Sequence, residues 1–198
     1  MANLEKNPLN EIVKSLTDKG VNLARTETLT LSPDQARAVL FMVGQGATNQ
    51  DLNSPELSEK KLQLMEQLQA RISDGENTVP IQMGYLDVMV LNFCVVNLTR
   101  PALQNILNVL KGAAGNQTES TMLLKDPAQG LLFLIGQDFE ADAEVKNQFM
   151  QELLKHIRSG DEPFLINLDS GKKLLIAMGI LNFMGILQSL VEGAGLNP

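Results

Sequence analysis

Apolar residues recur at helical spacing along most of the chain and alternate with polar residues only in short runs. The first periodic segment, residues 7–20, opens with a cap candidate and a proline, Asn7 and Pro8, and stops at Gly20. Its apolar positions share one helical face and are Leu9, Ile12, Val13 and Leu16. The pattern predicts an amphipathic helix that covers one end of the remaining structure.

The rest of the chain alternates between predicted helices and short predicted strands. The strands are expected at 28–31, 79–83, 121–124 and 163–168, and the helices at about 33–45, 55–73, 127–137, 141–158 and 170–191. Asp169 is expected to cap the last helix. The apolar segment 85–111 contains Pro101, which is expected to divide it into two helices with Thr99 as the second cap.

Two parts of the sequence resemble each other in the same order. Phe41–Gln45 (FMVGQ) is similar to Phe133–Gln137 (FLIGQ), and each is preceded by a helix-start pattern, at Ser32–Gln35 and at Asp126–Gln129. Residues 63–75 align with 148–160, and both end in glycine after a Met, Leu and Ile stripe. Ile106–Leu110 is similar to Ile186–Leu190.

These matches predict the fold class and the domain organisation. We expect a mainly α fold with minor short β-strands, formed by tandem duplication of a helical unit of about 80 residues in a pseudo-two-fold arrangement. Residues 1–27 form an N-terminal helix and extended segment, 28–115 the first repeat and 121–195 the second. Gly112–Glu119 is the expected linker, and the repeats are expected to pack into one compact unit.

The charge balance argues against a nucleic-acid partner. Lysine and arginine number 16 against 23 acidic residues, which gives a formal charge of −7. The densest basic runs are the pairs Lys60–Lys61 and Lys172–Lys173, which are too short for a phosphate-binding patch. We interpret them as solvated helix faces.

Candidate chemistry is sparse. Cys94 lies in an apolar run, which favours a buried, inert thiol, and a Cys94–His156 dyad is the reactive alternative. His156 is placed near a helix C-terminus, where a cation is favoured by the helix dipole. Glu140, Asp142 and Glu144 stand where a helix starts, so acids there complement the dipole. The sequence predicts no metal, no cofactor and no enzyme, although carboxylate chemistry is kept as an alternative.

Residues 174–191 contain no charge and are long enough to be considered as a membrane span. We favour a core helix, because the corresponding segment of the first repeat carries Asp87 and Arg100 and a duplicated fold would not span a membrane in one copy only. The first residues lack a basic segment followed by an apolar stretch, so the expected location is cytoplasmic, with export that needs no cleavable signal left open.

The functional prediction rests on the apolar helices. We expect a non-enzymatic interaction or assembly protein that uses apolar helix surfaces to bind a protein partner or a second copy of itself. The candidate surface is formed by Phe183, Met184, Leu187, Leu190, Val95, Leu103 and Leu107. The alternative is a secreted or membrane-active protein whose apolar helices insert on a trigger.

Overall fold

The computed structural model describes residues 25–48, 52, 54–110, 118–137, 139–160 and 162–195. In this part of the chain the fold is mainly helical with short antiparallel strands, which confirms the predicted fold class. The helix predicted at residues 7–20 lies outside the described residues, as does most of the predicted linker.

The elements follow the order strand, helix, helix, strand and helix, and this order occurs twice along the chain. The first half contains β1 (Thr26–Leu31), α1 (Pro33–Gly46), α2 (Pro55–Ser73), β2 (Val79–Gly84) and α3 (Tyr85–Leu110). The second half contains β3 (Glu119–Leu123), α4 (Lys125–Gly136), α5 (Ala143–Ser159), β4 (Phe164–Leu168) and α6 (Ser170–Gly193). Each half therefore has the same sequence of elements in the described part of the chain.

Each half also has its own two-stranded antiparallel sheet. β1 pairs with β2 so that Leu31 faces Val79, and β3 pairs with β4 so that Leu123 faces Phe164. All four of these side chains are buried. The predicted strands are confirmed, and a proline near the start of β2 is tolerated because every strand of a two-stranded sheet has a free edge.

Helix α1 is the centre of the core. Its residues from Ala38 to Val43 are all buried, so no face of this part of the helix meets solvent. It packs most extensively on α4, which holds the corresponding place in the second half. At this crossing a Cβ atom on Gly130 would lie 2.2 Å from the carbonyl oxygen of Arg37, so only glycine allows the two backbones to approach so closely.

Helices α2 and α5 pack on α1 and α4 through one buried stripe each. Leu64 and Leu68 are fully buried in the first half, and Phe149 and Leu153 are fully buried in the second. The same spacing recurs because both helices are amphipathic and turn their remaining faces to solvent.

Helix α3 corrects the prediction that Pro101 separates two helices. The helix continues from Tyr85 to Leu110 with Pro101 inside it, although proline has no N–H to donate to the carbonyl four residues earlier. Thr99 is therefore not a cap. Its hydroxyl donates a hydrogen bond of 2.9 Å to the carbonyl of Val95, one turn earlier in the same helix.

The predicted starts of α1, α2, α5 and α6 are confirmed, whereas that of α4 is not. Ser32 and Gln35 form the predicted capping box on α1, while Asp142 and Asp169 accept backbone N–H groups at the starts of α5 and α6. At α4 the prediction of an Asp126 cap was wrong, because the helix begins at Lys125 and Leu124 holds the cap position without a side-chain hydrogen bond.

Candidate interaction surface

Helices α3 and α6 lie side by side and leave an apolar groove of about 670 Å³ between them. Residues of α3 from Tyr85 to Val96 form one wall, and residues of α6 from Leu181 to Glu192 form the other. Among the described residues that line it, Glu192 is the only charged one. We call this feature the α3–α6 groove.

Two exposed side chains border the groove from opposite walls. Val96 is 46% exposed on α3, and Leu181 is 51% exposed on α6. They stand the same number of positions after the first residues of β2 and β4 respectively. Sequence reasoning missed both, although extending the second motif alignment along the apolar helices would have paired them.

The structure places the seven predicted surface residues in three different settings. Val95, Met184 and Leu187 line the α3–α6 groove, although Val95 and Leu187 are almost fully covered. Leu103 and Leu107 are exposed further along α3, on the same side of the helix as Val96. The α3–α6 groove and this exposed stripe are adjacent apolar features of the described surface of α3.

Phe183 and Leu190 do not belong to an open surface. Phe183 is fully buried, and its ring meets Phe133 edge to face with 5.5 Å between the centroids. Leu190 is partly buried against the hydrophobic core. These two side chains pack inside the chain, and neither lines the α3–α6 groove.

The interpretation of the basic pairs as solvated helix faces was wrong for one lysine of each pair, because Lys61 is 6% exposed and Lys173 is 7% exposed. Lys61 and Lys146 hold corresponding positions in the two halves. The ammonium of Lys61, on the buried side of α2, donates to the carbonyl oxygen of Ala47, directly after α1. The ammonium of Lys146 on α5 donates to the carbonyl oxygen of Gln137, directly after α4, over 2.7 Å. A cation at a helix C-terminus complements the dipole, so both lysines stabilise the ends of the central helices.

The candidate nucleophile and base lie in separate environments. Cys94 is fully buried against α1, and burial raises the pKa of its thiol to about 11, which keeps it protonated at neutral pH. His156 lies in the last turn of α5 and stacks on Phe164 with 4.7 Å between ring centroids. Cys94 therefore packs in the core of the first half, whereas His156 packs on a strand of the second half. This arrangement does not support a Cys94–His156 dyad.

The acidic residues serve local structure. Asp142 caps α5, with Glu144 in its first turn. Asp87 is buried, and its carboxylate accepts a hydrogen bond of 2.8 Å from the N–H of Gly84 at the start of α3. Burial raises the pKa of Asp87 above its usual value of 3.8. Among the described residues, no group of three or more His, Cys, Asp and Glu side chains is placed to hold a metal ion.

Two helices of the described chain are long and apolar enough to cross a membrane, namely Tyr85–Gln104 and Ser170–Gly193. The first-half helix reaches this length and hydropathy although it carries Asp87 and Arg100, which lie near the two ends of its apolar stretch. In each helix 39% of the apolar stretch is buried within the protein. Length and composition alone are weak evidence for insertion, since core helices of soluble proteins share both.

Comparison with known proteins leaves the function to be argued from this surface. No protein-family model, curated protein or solved structure matches the chain. The proposals below therefore rest on the α3–α6 groove and on the correspondence between the two halves.

Proposed function

We propose that this chain is a non-enzymatic interaction protein that binds a helix of a partner protein in the α3–α6 groove. The observation that carries the proposal is the apolar groove itself, bordered by Val96 and Leu181 from its two walls. An apolar groove between two helices suits the apolar face of a third, because i, i+3, i+4 and i+7 side chains project from one side of a helix.

The lining favours an amphipathic partner over a wholly apolar one. The walls are mostly aliphatic, but Asn92, Gln188 and Glu192 also belong to the lining. These polar groups lie beside apolar ones, so a bound helix needs polar flanks that meet them and an apolar stripe that fills the space between. This chemistry is typical of helix-in-groove recognition.

We further propose that the chain arose by tandem duplication of one helical unit. The repeated element order supports this, and so do contacts that recur at corresponding positions. Met65 and Met150 place their methyl groups 3.6 Å from where a Cβ on Gly44 and on Gly136, respectively, would stand. The capping lysines Lys61 and Lys146 recur in the same way.

One sequence match does not fit this correspondence. Ile106 and Ile186 lie at different distances from the starts of α3 and α6, so the third motif pair was aligned out of register. The proposed duplication therefore depends on the first two motif pairs and on the recurring contacts.

The test of the interaction surface is a charge placed on the exposed wall of the groove. Leu181→Asp should leave the fold intact, because about half of the side chain is already in water, whereas a charge at the buried Leu187 would unfold the core. Leu62→Asp is the matched control, since Leu62 is 48% exposed on α2 and does not line the groove.

The measurement is binding of purified protein to itself, by sedimentation, and to proteins of the native host, by quantitative affinity capture. We expect Leu181→Asp to weaken at least one association by tenfold or more, while Leu62→Asp leaves that association unchanged. Equal binding by the wild type and both variants, with circular dichroism showing all three folded, would contradict the proposal.

A second candidate function is insertion of the apolar helices into a membrane. The favouring observation is that α3 and α6 both reach spanning length and that most of each apolar stretch is not buried within the protein. The test is flotation with anionic vesicles and release of a trapped dye, at pH 7 and at pH 5. Neither flotation nor release at either pH would exclude this function.

A further inference from the structure

The chain enters the described structure at one end of the α3–α6 groove. The carbonyl oxygen of Arg25 lies 3.1 Å from where a Cβ on Gly84 would stand, and Gly84 directly precedes α3. The guanidinium Nη2 of Arg25 lies 2.8 Å from the corresponding position on Gly195, just after α6. Residue 25 therefore meets the groove where α3 begins and α6 ends.

The segment before residue 25 has the length to occupy the groove. Residues 7–20 are predicted from their pattern to be helical, and fourteen residues at 1.5 Å each extend about 21 Å. The groove wall from Tyr85 to Val96 extends about 18 Å by the same rise. Residues 21–24 reach about 13 Å when extended, enough for the segment to turn back along the groove.

The segment also has the chemistry that the groove requires. Its predicted apolar face is the stripe Leu9, Ile12, Val13 and Leu16, and apart from Pro8 and Gly20 the remaining positions are polar or charged. Lys19 stands beside that stripe at the end of the segment nearest residue 25. Glu192, the one charged lining residue, lies at the same end of the groove, so the charges are complementary.

We infer that residues 7–20 bind as a helix in the α3–α6 groove of their own chain and compete there with the partner helix. The inference rests on the proposed function in one respect, that the groove is a helix-binding surface. It adds an internal occupant, so that a partner must displace this segment before it can bind.

The first experiment is cross-linking in the full-length chain. Thr17→Cys and Gln188→Cys introduce thiols beside the segment's apolar face and on the groove lining, and Cys94 stays in place because its buried thiol is protonated. With a short bismaleimide, we expect an intramolecular link at least tenfold faster than for the control pair Thr17→Cys with Gln63→Cys, which is exposed on α2. Equal rates, or links only between two chains, would overturn the inference.

The second experiment releases the segment without changing the groove. Val13→Asp should raise hydrogen exchange at residues 85–96 and 181–192 by tenfold or more, whereas Ser15→Asp, on the polar side, should not. Unchanged exchange in Val13→Asp would overturn the inference.

Failure of the proposed function has a different signature. Suppose that the Thr17→Cys variant forms the intramolecular link but that Leu181→Asp weakens no association. The inference that residues 7–20 bind in the groove would then stand, and the proposal that a partner helix binds there would be contradicted. If both hold, Val13→Asp should strengthen partner binding relative to Ser15→Asp.

Discussion

Helices α1 and α4 occupy corresponding places in the two halves but begin in different ways. α1 starts with a reciprocal capping box, in which the Gln35 N–H donates to Ser32 and the Ser32 N–H donates to Gln35. α4 starts at Leu124, whose side chain cannot accept a hydrogen bond. Counted back from Phe41 and Phe133, the two cap positions are the same. Position along the fold therefore determined the start of α4, and the cap only reinforces α1.

The third helix of each half crosses a central helix at close range: α3 crosses α1, and α6 crosses α4. Here too the two halves reach the same arrangement with different residues. In the first half the glycine is on the central helix, where a Cβ on Gly46 would lie 2.3 Å from that of Cys94 on α3. In the second half the glycine is on the outer helix, where a Cβ on Gly179 would lie 2.6 Å from the carbonyl oxygen of Leu134 on α4. Close approach is kept in both halves, although different helices supply the small residue.

The comparison is tested most strongly by removing the same buried leucine from each half. Leu68→Ala and Leu153→Ala should each lower the free energy of unfolding by about 3 kcal/mol, because both side chains are fully buried. Chemical denaturation should show one transition for each variant, since α1 and α4 share a core. Leu62→Ala, an exposed change on α2, should cost less than about 0.5 kcal/mol. Separate transitions for the halves would show that they fold independently.

The contact between the halves is tested at Gly130. Gly130→Ala should cost about 3 kcal/mol, because the added methyl group meets a backbone carbonyl that cannot move aside without shifting α1 against α4. Gly193→Ala is the matched control in α6, because an added Cβ there meets nothing within 4 Å and Gly193 does not line the groove; it should change the free energy of unfolding by less than about 0.5 kcal/mol. Thermal unfolding checks both, and a neutral Gly130→Ala would contradict the close crossing.

Substitutions at the starts of α1 and α4 should change the free energy of unfolding by smaller amounts. One substitution removes the cap of α1, and the other introduces a cap at α4. Ser32→Ala should cost about 1 kcal/mol by removing the cap of α1. Leu124→Ser should gain about 0.5 kcal/mol, less than a full cap, since Pro127 at the third helical position has no N–H to donate. Urea denaturation of the single and double variants gives both values, and a loss of stability in Leu124→Ser would refute this account.

Asp87 is expected to have the smallest effect on the free energy of unfolding, and this effect should depend on pH. Because burial raises the pKa of Asp87 in the folded chain, its ionisation costs stability as pH rises from 3.8 through that raised pKa. Asp87→Asn has no such charge, and its amide oxygen still accepts the Gly84 N–H. The stability of the wild type relative to Asp87→Asn should therefore fall as pH rises from below 3.8 to neutrality, measured by urea denaturation across pH. The opposite slope would contradict the assigned cause.

Local sequence patterns predicted most elements because their causes are local. Ser32, Asp142 and Asp169 bond to amides within three residues, and the stripe of α5 needs only its own helix to be recognised. Pro101 misled the same reasoning. A proline inside a helix is unfavourable locally, but packing of α3 against α1 and α6 holds the helix together across it.

The sequence by itself determined where most of the described helices and strands lie, since capping, periodicity and strand alternation act over a few residues; the start of α4 and the continuity of α3 across Pro101 are the exceptions. The tertiary structure alone decided which faces of the apolar helices are covered. In α6 apolar residues surround the helix, so no periodicity distinguishes Phe183, which is buried against Phe133, from Leu181, which borders the groove. That distinction depends on where α3 and α4 pack against it, and such contacts join residues far apart in the chain.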